Sequence, residues 1–315
     1  MKKMLTALIV ALSFLTPAMA QGYPDKTVKV IIPYAAGQSS DIIGRLFATG
    51  LAQSLGQSFV PDNRVGAGGN IGSAAAAKSA PDGYTLLIGT AATHALNLAL
   101  YKDPGYDASD FEVVGMLGKV VMVIAVPAGS GVTSLPDLIA KSKGGSLNVA
   151  LPSTMATLVG ELLKNRGGSS MVAVPYKGSA AAVADALGNH VQVIIDTVTS
   201  LRPHVQSGKI VPLAVTTLTP SELLPGVKSV AEYFPGFEVT GWQAVFVPKG
   251  TPKPVIDKLN LEIKKIHGTS EARQKILSLG FDPGTVGEPA QLAEFVRSER
   301  EKWDRIIKAA NLKAE

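Results

Sequence analysis

The chain contains no cysteine. That absence removes thiol catalysis, disulfide staples, cysteine–zinc sites, iron–sulfur clusters and a lipidated-cysteine anchor together. Charge is sparse: Asp, Glu, Lys and Arg make up 17% of the residues, against 46% hydrophobic, a balance that excludes a disordered or fibrous chain. The net charge is only +5, and the cations are spread along the sequence rather than clustered as a nucleic-acid face requires. Long apolar runs are missing beyond the first residues. The longest, Val113 to Val126, is interrupted by Lys119 and two glycines. Histidine is scarce too. His94, His190, His204 and His267 show no local metal-ligand spacing, and no HExxH, EF-hand, G-x-S-x-G or P-loop pattern occurs. The sequence therefore implies neither a metal nor a cofactor.

The first twenty residues have the pattern of a cleavable export signal. Lys2 and Lys3 precede an apolar stretch, Met4 to Leu15, and Ala18-Met19-Ala20 supplies the small-x-small cleavage site. The apolar run is shorter than the roughly 20 residues a bilayer span needs. The expected mature chain begins at Gln21, is soluble and is periplasmic. Loss of Lys2 and Lys3 lowers the net charge from +5 to +3.

What remains alternates between strand and helix patterns. Val28 to Ile32 reads as a strand buried on both faces, followed by a loop and a helix whose apolar positions run from Ile42 to Leu55. Gly56 stands where a helix C′ glycine belongs. Ser58 to Pro61 is a second short strand, Gly66 to Gly72 a glycine-rich turn into an alanine-rich helix, and Tyr84 to Ile88 a third strand. The same alternation recurs from Leu147 to Val215. Val120 to Val126 and Trp242 to Val247 flank this second unit and read as strands crossing between lobes. The tail from Pro254 predicts two helical segments, the last docking on the first lobe through Leu292, Phe295, Val296, Trp303, Ile306 and Ile307. The expected fold is α/β, two mainly parallel sheets flanked by helices and joined by crossing strands. Residues 21–122 and 243–315 form lobe 1, and 123–242 form lobe 2.

In parallel α/β units, ligands collect beyond the carboxyl ends of strands, where loops enter helix N-termini. Six such loops are unusually small and polar here. In the first unit the candidate ligand-binding residues are Tyr34, Ala35, Ala36, Gly37, Gln38, Ser39 and Asp41; then Gly68, Gly69 and Asn70; then Thr90, Ala91 and Thr93. In the second unit they are Ser153, Thr154 and Met155; then Lys177; then Asp196 and Thr197. Helix N-termini offer free N–H donors and partial positive charge, and short hydroxyl side chains add donors without filling space. N-capping wants the same residues at the same places, so each Ser, Thr or Asp taken singly fits both roles. Asp196 suits either an ammonium group or a helix cap, and Lys177 either an anion or solvent. What favours a shared cleft is the set of six loops on two units.

Several stretches also carry a family likeness. They are Tyr23-Pro24, Pro33-Tyr34-x-x-Gly37-x-x-x-Asp41, Asn63-Arg64-x-Gly66-Ala67-Gly68-Gly69-Asn70-Ile71-Gly72, Pro81-Asp82-Gly83-Tyr84-Thr85, Val174-Pro175-Tyr176-Lys177-Gly178 and Pro235-Gly236-Phe237-Glu238. In this ordered set the chain resembles the Bug-type periplasmic solute-binding receptors, the TctC-like component of tripartite tricarboxylate transporters. The resemblance implies a two-lobe, type II periplasmic-binding-protein fold. It implies closure on a small organic carboxylate, with ordered waters often mediating, and delivery of the ligand to integral-membrane permease subunits. It also implies a monomer that uses no cofactor and binds no nucleic acid. Two stretches depart from the family pattern: Gln38 and Ser39 follow Gly37 where glycine is commoner, and Leu151 to Thr157 lacks the usual glycine and histidine. The expected ligand is therefore an aromatic or longer-chain carboxylate rather than the commonest small dicarboxylate. The alternatives are a secreted hydrolase, with a nucleophile hydrogen-bonded to one of the four histidines, and a sensor whose closed form docks on a signalling partner.

Overall fold

The computed structural model describes residues 22–145 and 147–309; the expected export signal, residues 1–20, lies outside them. The chain begins with β1 (Val28–Ile32), α1 (Ser39–Leu55), β2 (Phe59–Asn63), α2 (Asn70–Ala77) and β3 (Thr85–Thr90). A π-helical turn, Ala92–Leu96, runs into the short α3 (Asn97–Leu100). Then come β4 (Phe111–Pro127), α4 (Leu135–Ser142), β5 (Asn148–Leu151), α5 (Thr154–Gly167), β6 (Val172–Pro175), α6 (Ser179–Leu187), β7 (Val193–Thr197), α7 (Val198–Gln206) and β8 (Ile210–Val215). The chain returns through β9 (Thr240–Pro248) to α8 (Lys253–Gly268), α9 (Ser270–Ser278), β10 (Phe281–Asp282) and α10 (Pro289–Ala309).

Two sheets share β4. In the first, β2, β1 and β3 are parallel, and β9 runs antiparallel between β3 and β4. In the second, β6, β5 and β7 are parallel, and β4 runs antiparallel between β7 and β8. Strand β4 changes partner along its length: Phe111 to Val121 pairs with β9, and from Met122 onward it pairs with β7 and β8.

This strand begins nine residues before the expected Val120, because Gly115 and Gly118 mark bulges rather than breaks. The β4–β9 register shifts between Val113 and Gly115 and again between Met116 and Gly118. Glycine inside a strand often signals such a bulge. The tail differs from expectation in the same local way. It holds three helices, since Thr269 interrupts the first helical run and caps α9 by accepting the Ala272 N–H at 3.1 Å. Helix α4 was not anticipated either, although Ser134 caps it and Pro136 sits in its first turn, both ordinary start signals.

Packing follows the apolar faces. Ile43, Phe47 and Leu51 of α1 are buried with Val28, Val30 and Ile32 of β1 and with Leu259 and Ile263 of α8. Burial of each such side chain is worth about 1.5–3 kcal/mol. Gly56 ends α1 in the left-handed region, at φ 69°, and its N–H bonds the Ala52 carbonyl. The last helix lays Leu292, Trp303 and Ile307 into a core shared with Phe246 of β9. No helix among the described residues is long and apolar enough to cross a membrane.

Candidate functional site

The carboxyl ends of β1, β3, β5, β6 and β7 face one cleft, and β4 and β9 form its floor. The space in it, counted out into the open solvent at its mouth, is about 510 Å³. Four helices of nine or more residues start at its edge. Ser39 opens α1 and Ser179 opens α6; Ser153 caps α5 and Thr197 caps α7, accepting the Ala156 and Ser200 N–H groups at 3.2 and 3.1 Å. All four residues line the cleft. So do Tyr34, Gln38, Thr90, Ala91, Met155 and Asp196 of the residues singled out from sequence.

The other candidates lie behind or beside this lining. Asp41 is 4% exposed and holds the first loop in shape. Its Oδ2 accepts the Gly37 N–H at 3.0 Å, and its Oδ1 accepts Arg45 Nε at 2.8 Å and Asn63 Nδ2 at 2.9 Å. Asn63 also donates to the Tyr34 carbonyl, so one carboxylate and one amide fix the whole turn. Thr93 is fully buried and bonds the Thr90 N–H and His94 Nδ1. Asn70 is 3% exposed and accepts from Asn97 and Tyr106. The Gly68 carbonyl accepts from Tyr34 Oη and Asn97 Nδ2, at 3.2 and 3.0 Å. Gly69, at φ 99°, leaves no space for a side chain: a Cβ there would lie 2.7 Å from Thr93 Cγ2. Ala36, Gly37 and Lys177 are exposed.

Ala35 and Thr154 mark where the two sides meet. A Cβ on Gly178 would lie 3.5 Å from Ala35 and 3.6 Å from Gln38, and one on Gly68 would lie 2.9 Å from Thr154 Oγ1. Gln38 is 8% exposed, and its Oε1 accepts the Ala35 N–H at 3.0 Å. The long side chain thereby occupies a loop donor and narrows the cleft at that end.

The floor was not among the sequence candidates. It is made of Val120 and Met122 of β4 with Gly241, Trp242 and Gln243 of β9. Register places Gln243 beside Thr90 of β3 on one side and Gly118 of β4 on the other. Gln243 is 2% exposed and donates to Ser39 Oγ at 3.1 Å, tying floor to wall. A polar residue within the apolar run Trp242 to Val247 was the available signal, because buried strands rarely carry an amide without a partner to satisfy. Trp242 is held from behind, its indole N–H donating to Glu299 of α10 at 3.2 Å.

The electrostatics are unusual in one respect: the lining holds no Lys, Arg or His. Within the lining, positive potential comes from helix N-termini, each worth about 0.3–1 kcal/mol to an anion and up to about 2 where partly buried. Asp196 is the only acidic residue of the lining, and it is 2% exposed. Burial pushes its carboxyl up to about 6, opposed by the Ser179 hydroxyl and the Thr197 N–H. Tyr34 is likewise raised by burial, to about 12, and so remains a neutral donor.

None of the four histidines lines the cleft. His94 pairs with a hydroxyl, Thr93 Oγ1 at 2.9 Å, but both are buried and the ring stacks on Phe246 at 3.7 Å. Burial lowers its pKa to about 3, which keeps it neutral. The hydrolase alternative, which expects a nucleophile hydrogen-bonded to a histidine, thus finds no histidine in the lining. Among the described residues no group of three or more His, Cys, Asp or Glu is placed to hold a metal ion.

Known proteins show the same architecture. A solved R. palustris protein with adipate is 34% identical, with a TM-score of 0.89 over 92% of this chain and 99% of that one. MatC from Rhodopseudomonas palustris, with bound malate, is 27% identical, with a TM-score of 0.82 over 90% and 100%. Protein BugT of Bordetella pertussis is 34% identical over 94% of this chain and 93% of its own length. Residues 43–312 match the TctC model, described as tripartite tricarboxylate transporter family receptor. With its fold, its cleft and its relatives in agreement, this chain belongs to the TctC family of tripartite tricarboxylate transporter receptors.

Proposed function

We propose that the protein captures a small carboxylate between its two lobes by hinge closure and presents it to the membrane subunits of a tripartite tricarboxylate-type transporter. The observation that carries this reading is the convergence of four helix N-termini on one cleft without a competing cation. The ligand's carboxylate is held by N–H and hydroxyl donors from Ser39, Thr90, Ser153, Ser179 and Thr197. Asp41, Asn63 and Gly68 act one layer back, by keeping the first loop in its binding shape. The hinge is the point where β4 passes from one sheet to the other, near Val121 and Met122. The lobes divide as residues 21–122 with 243–315, and 123–242. The protein works as a periplasmic monomer, matured at Gln21, and performs no turnover.

Met155, Met122, Val120 and Trp242 give the cleft an apolar middle. That favours a ligand with a methylene chain or ring between or beside its polar ends, in keeping with the adipate held by the R. palustris relative. Micromolar affinity requires about −8.2 kcal/mol. Three or four charge-assisted hydrogen bonds at roughly 1.5–3 kcal/mol each supply most of that before association costs. A ligand at 100 times its Kd adds about 2.7 kcal/mol of stability. Thermal-shift measurements over succinate, malate, adipate, longer diacids and benzoate should therefore raise the melting temperature most with adipate or longer acids. A flat response to every acid at millimolar concentration overturns the receptor reading.

A further inference from the structure

The cleft proposed for an anion contains a carboxyl group that nothing neutralises. Asp196, the last residue but one of β7, lies opposite Val123 of β4, and its Oδ1 accepts the Thr197 N–H at 2.7 Å. Its Oδ2 has no partner in hydrogen-bond geometry, although the Ser179 hydroxyl lies near enough to favour the charged form, and Gln243 Oε1 on the floor has no partner either. Both atoms are buried, and both residues line the cleft. Two orphaned acceptors are a mismatch for an incoming carboxylate, which offers only acceptors of its own. Two carboxylates in one dry site cannot both ionise cheaply.

The surroundings supply no cation to remove the mismatch. Among the described residues no Lys, Arg or His nitrogen lies within 4.0 Å of Asp196. The elements packed against β7 carry Glu112 and Lys119 on β4, Glu161, Lys164 and Arg166 on α5, Asp185 on α6, and Arg202 and His204 on α7. None of these lines the cleft. Asp185 is taken by Tyr176 and Arg202 by the Leu277 carbonyl. Lys177, on the loop before α6, is exposed and outside the lining. Across the cleft, Asp41 and Arg45 of α1 are paired with each other. No cation is therefore placed to hold Asp196 in its charged form. A half-turn of the Gln243 amide would remove its own mismatch, presenting the NH2 to the cleft and letting Ser39 donate to Oε1.

We infer that Asp196 enters the complex as a neutral carboxyl and donates its proton to the ligand's carboxylate, so that each ligand captured brings one proton with it. The inference rests on the carboxylate-receptor reading and deepens it: it makes the receptor a proton-coupled binder, loaded more readily in an acidic periplasm. Burial already raises the carboxyl to about 6 before ligand arrives. The ligand's negative charge raises it further.

The test uses adipate as probe and needs two measurements. In the ligand-free protein, a carbon-13 NMR titration of the aspartate carboxyls, assigned by difference against Asp196→Asn, should show Asp196 titrating well above the ordinary range near 4. Titration in that ordinary range overturns the inference whether or not any ligand is found. Calorimetric titration with adipate at pH 7.5, in two buffers of different ionisation enthalpy, should then show uptake of about one proton per ligand. Affinity should fall roughly tenfold per pH unit between pH 6.5 and 8. Asp196→Asn, which offers an N–H at every pH, should bind adipate more tightly than the wild type at pH 8, with no proton uptake. Weaker binding by Asp196→Asn at pH 8, or affinity that rises with pH, means that Asp196 works as an anion facing a cationic or hydroxylated group, and the inference fails. If no carboxylate binds at any pH, the receptor reading fails instead, and the ligand-free titration still decides the state of Asp196.

Discussion

Asp41 on the first wall and Asp196 on the second are nearly equal in burial, at 4% and 2% exposed, and opposite in circumstance. Asp41 uses both oxygens on three donors of its own wall. Asp196 uses one oxygen on one N–H and leaves the other unmatched. On the first wall Tyr34, Thr90, Thr93 and Gly68 likewise bond one another, and the buried atoms there that lack a partner, Asn70 Nδ2, Asn97 Oδ1 and His94 Nε2, belong to neutral side chains outside the cleft lining. The second wall is unfinished, and what would finish it is a ligand or a proton. The difference shows how one residue type serves shape on one side of a cleft and chemistry on the other. Unmade hydrogen bonds in a dry site are expensive enough to be a signature of function.

The comparison has consequences for stability that run in opposite directions with pH. Behind the first wall, His94 is held neutral with its pKa lowered to about 3 by burial. Its contribution is complete above pH 6.5 and is lost as pH falls towards 3, amounting to on the order of 5 kcal/mol at the acid end. His267, also lowered by burial, acts in the same sense. Urea unfolding at pH 7, 5 and 4 should show this acid loss, and His94→Gln should flatten it. On the second wall the sign reverses. Asp196 has a raised pKa, so the folded state is most favoured below pH 4 and loses that advantage as pH rises through about 6. Asp196→Asn should therefore stabilise the ligand-free protein at pH 7.5, by up to about 3 kcal/mol. An unchanged unfolding midpoint for this variant would erase the contrast between the walls.

Smaller effects sharpen the contrast. Asp41→Ala should destabilise by about 2 kcal/mol in urea unfolding, because it strips the Gly37 N–H and Asn63 of an acceptor. The Arg45 partner adds little, since that side chain is 48% exposed. Gly68→Ala should lower stability by about 1–2 kcal/mol through its positive φ of 63°. It should also weaken adipate about fivefold by pressing a methyl group on Thr154 across the cleft. Calorimetry on this variant separates the two effects, since only the second changes with ligand.

Much of the architecture was legible in the residues. The apolar spacing from Ile43 to Leu51 declared α1, and Gly56 declared its end. The interleaved short strands declared parallel sheets. Boundaries went astray where glycine has two meanings: Gly115 and Gly118 read as interruptions, yet in β4 they accommodate shifts of register against β9. The loops at the cleft were legible as a set, but membership within each loop was not. Thr93 and Asp41 have the composition of ligand-facing residues and serve instead to satisfy neighbouring backbone and side chains.

Sequence by itself determined which segments form strands and helices, where the helix N-termini fall, and the absence of cysteine. Each of these depends on residues close together along the chain. Only the tertiary structure decided that Gln243, Trp242 and Met122 make the floor, that no cation accompanies Asp196, and that Gln38 turns inward to the Ala35 N–H. Those outcomes depend on which strand edges meet and which dipoles are left unpaired when they do, and that pairing joins residues as far apart as Ser39 and Gln243.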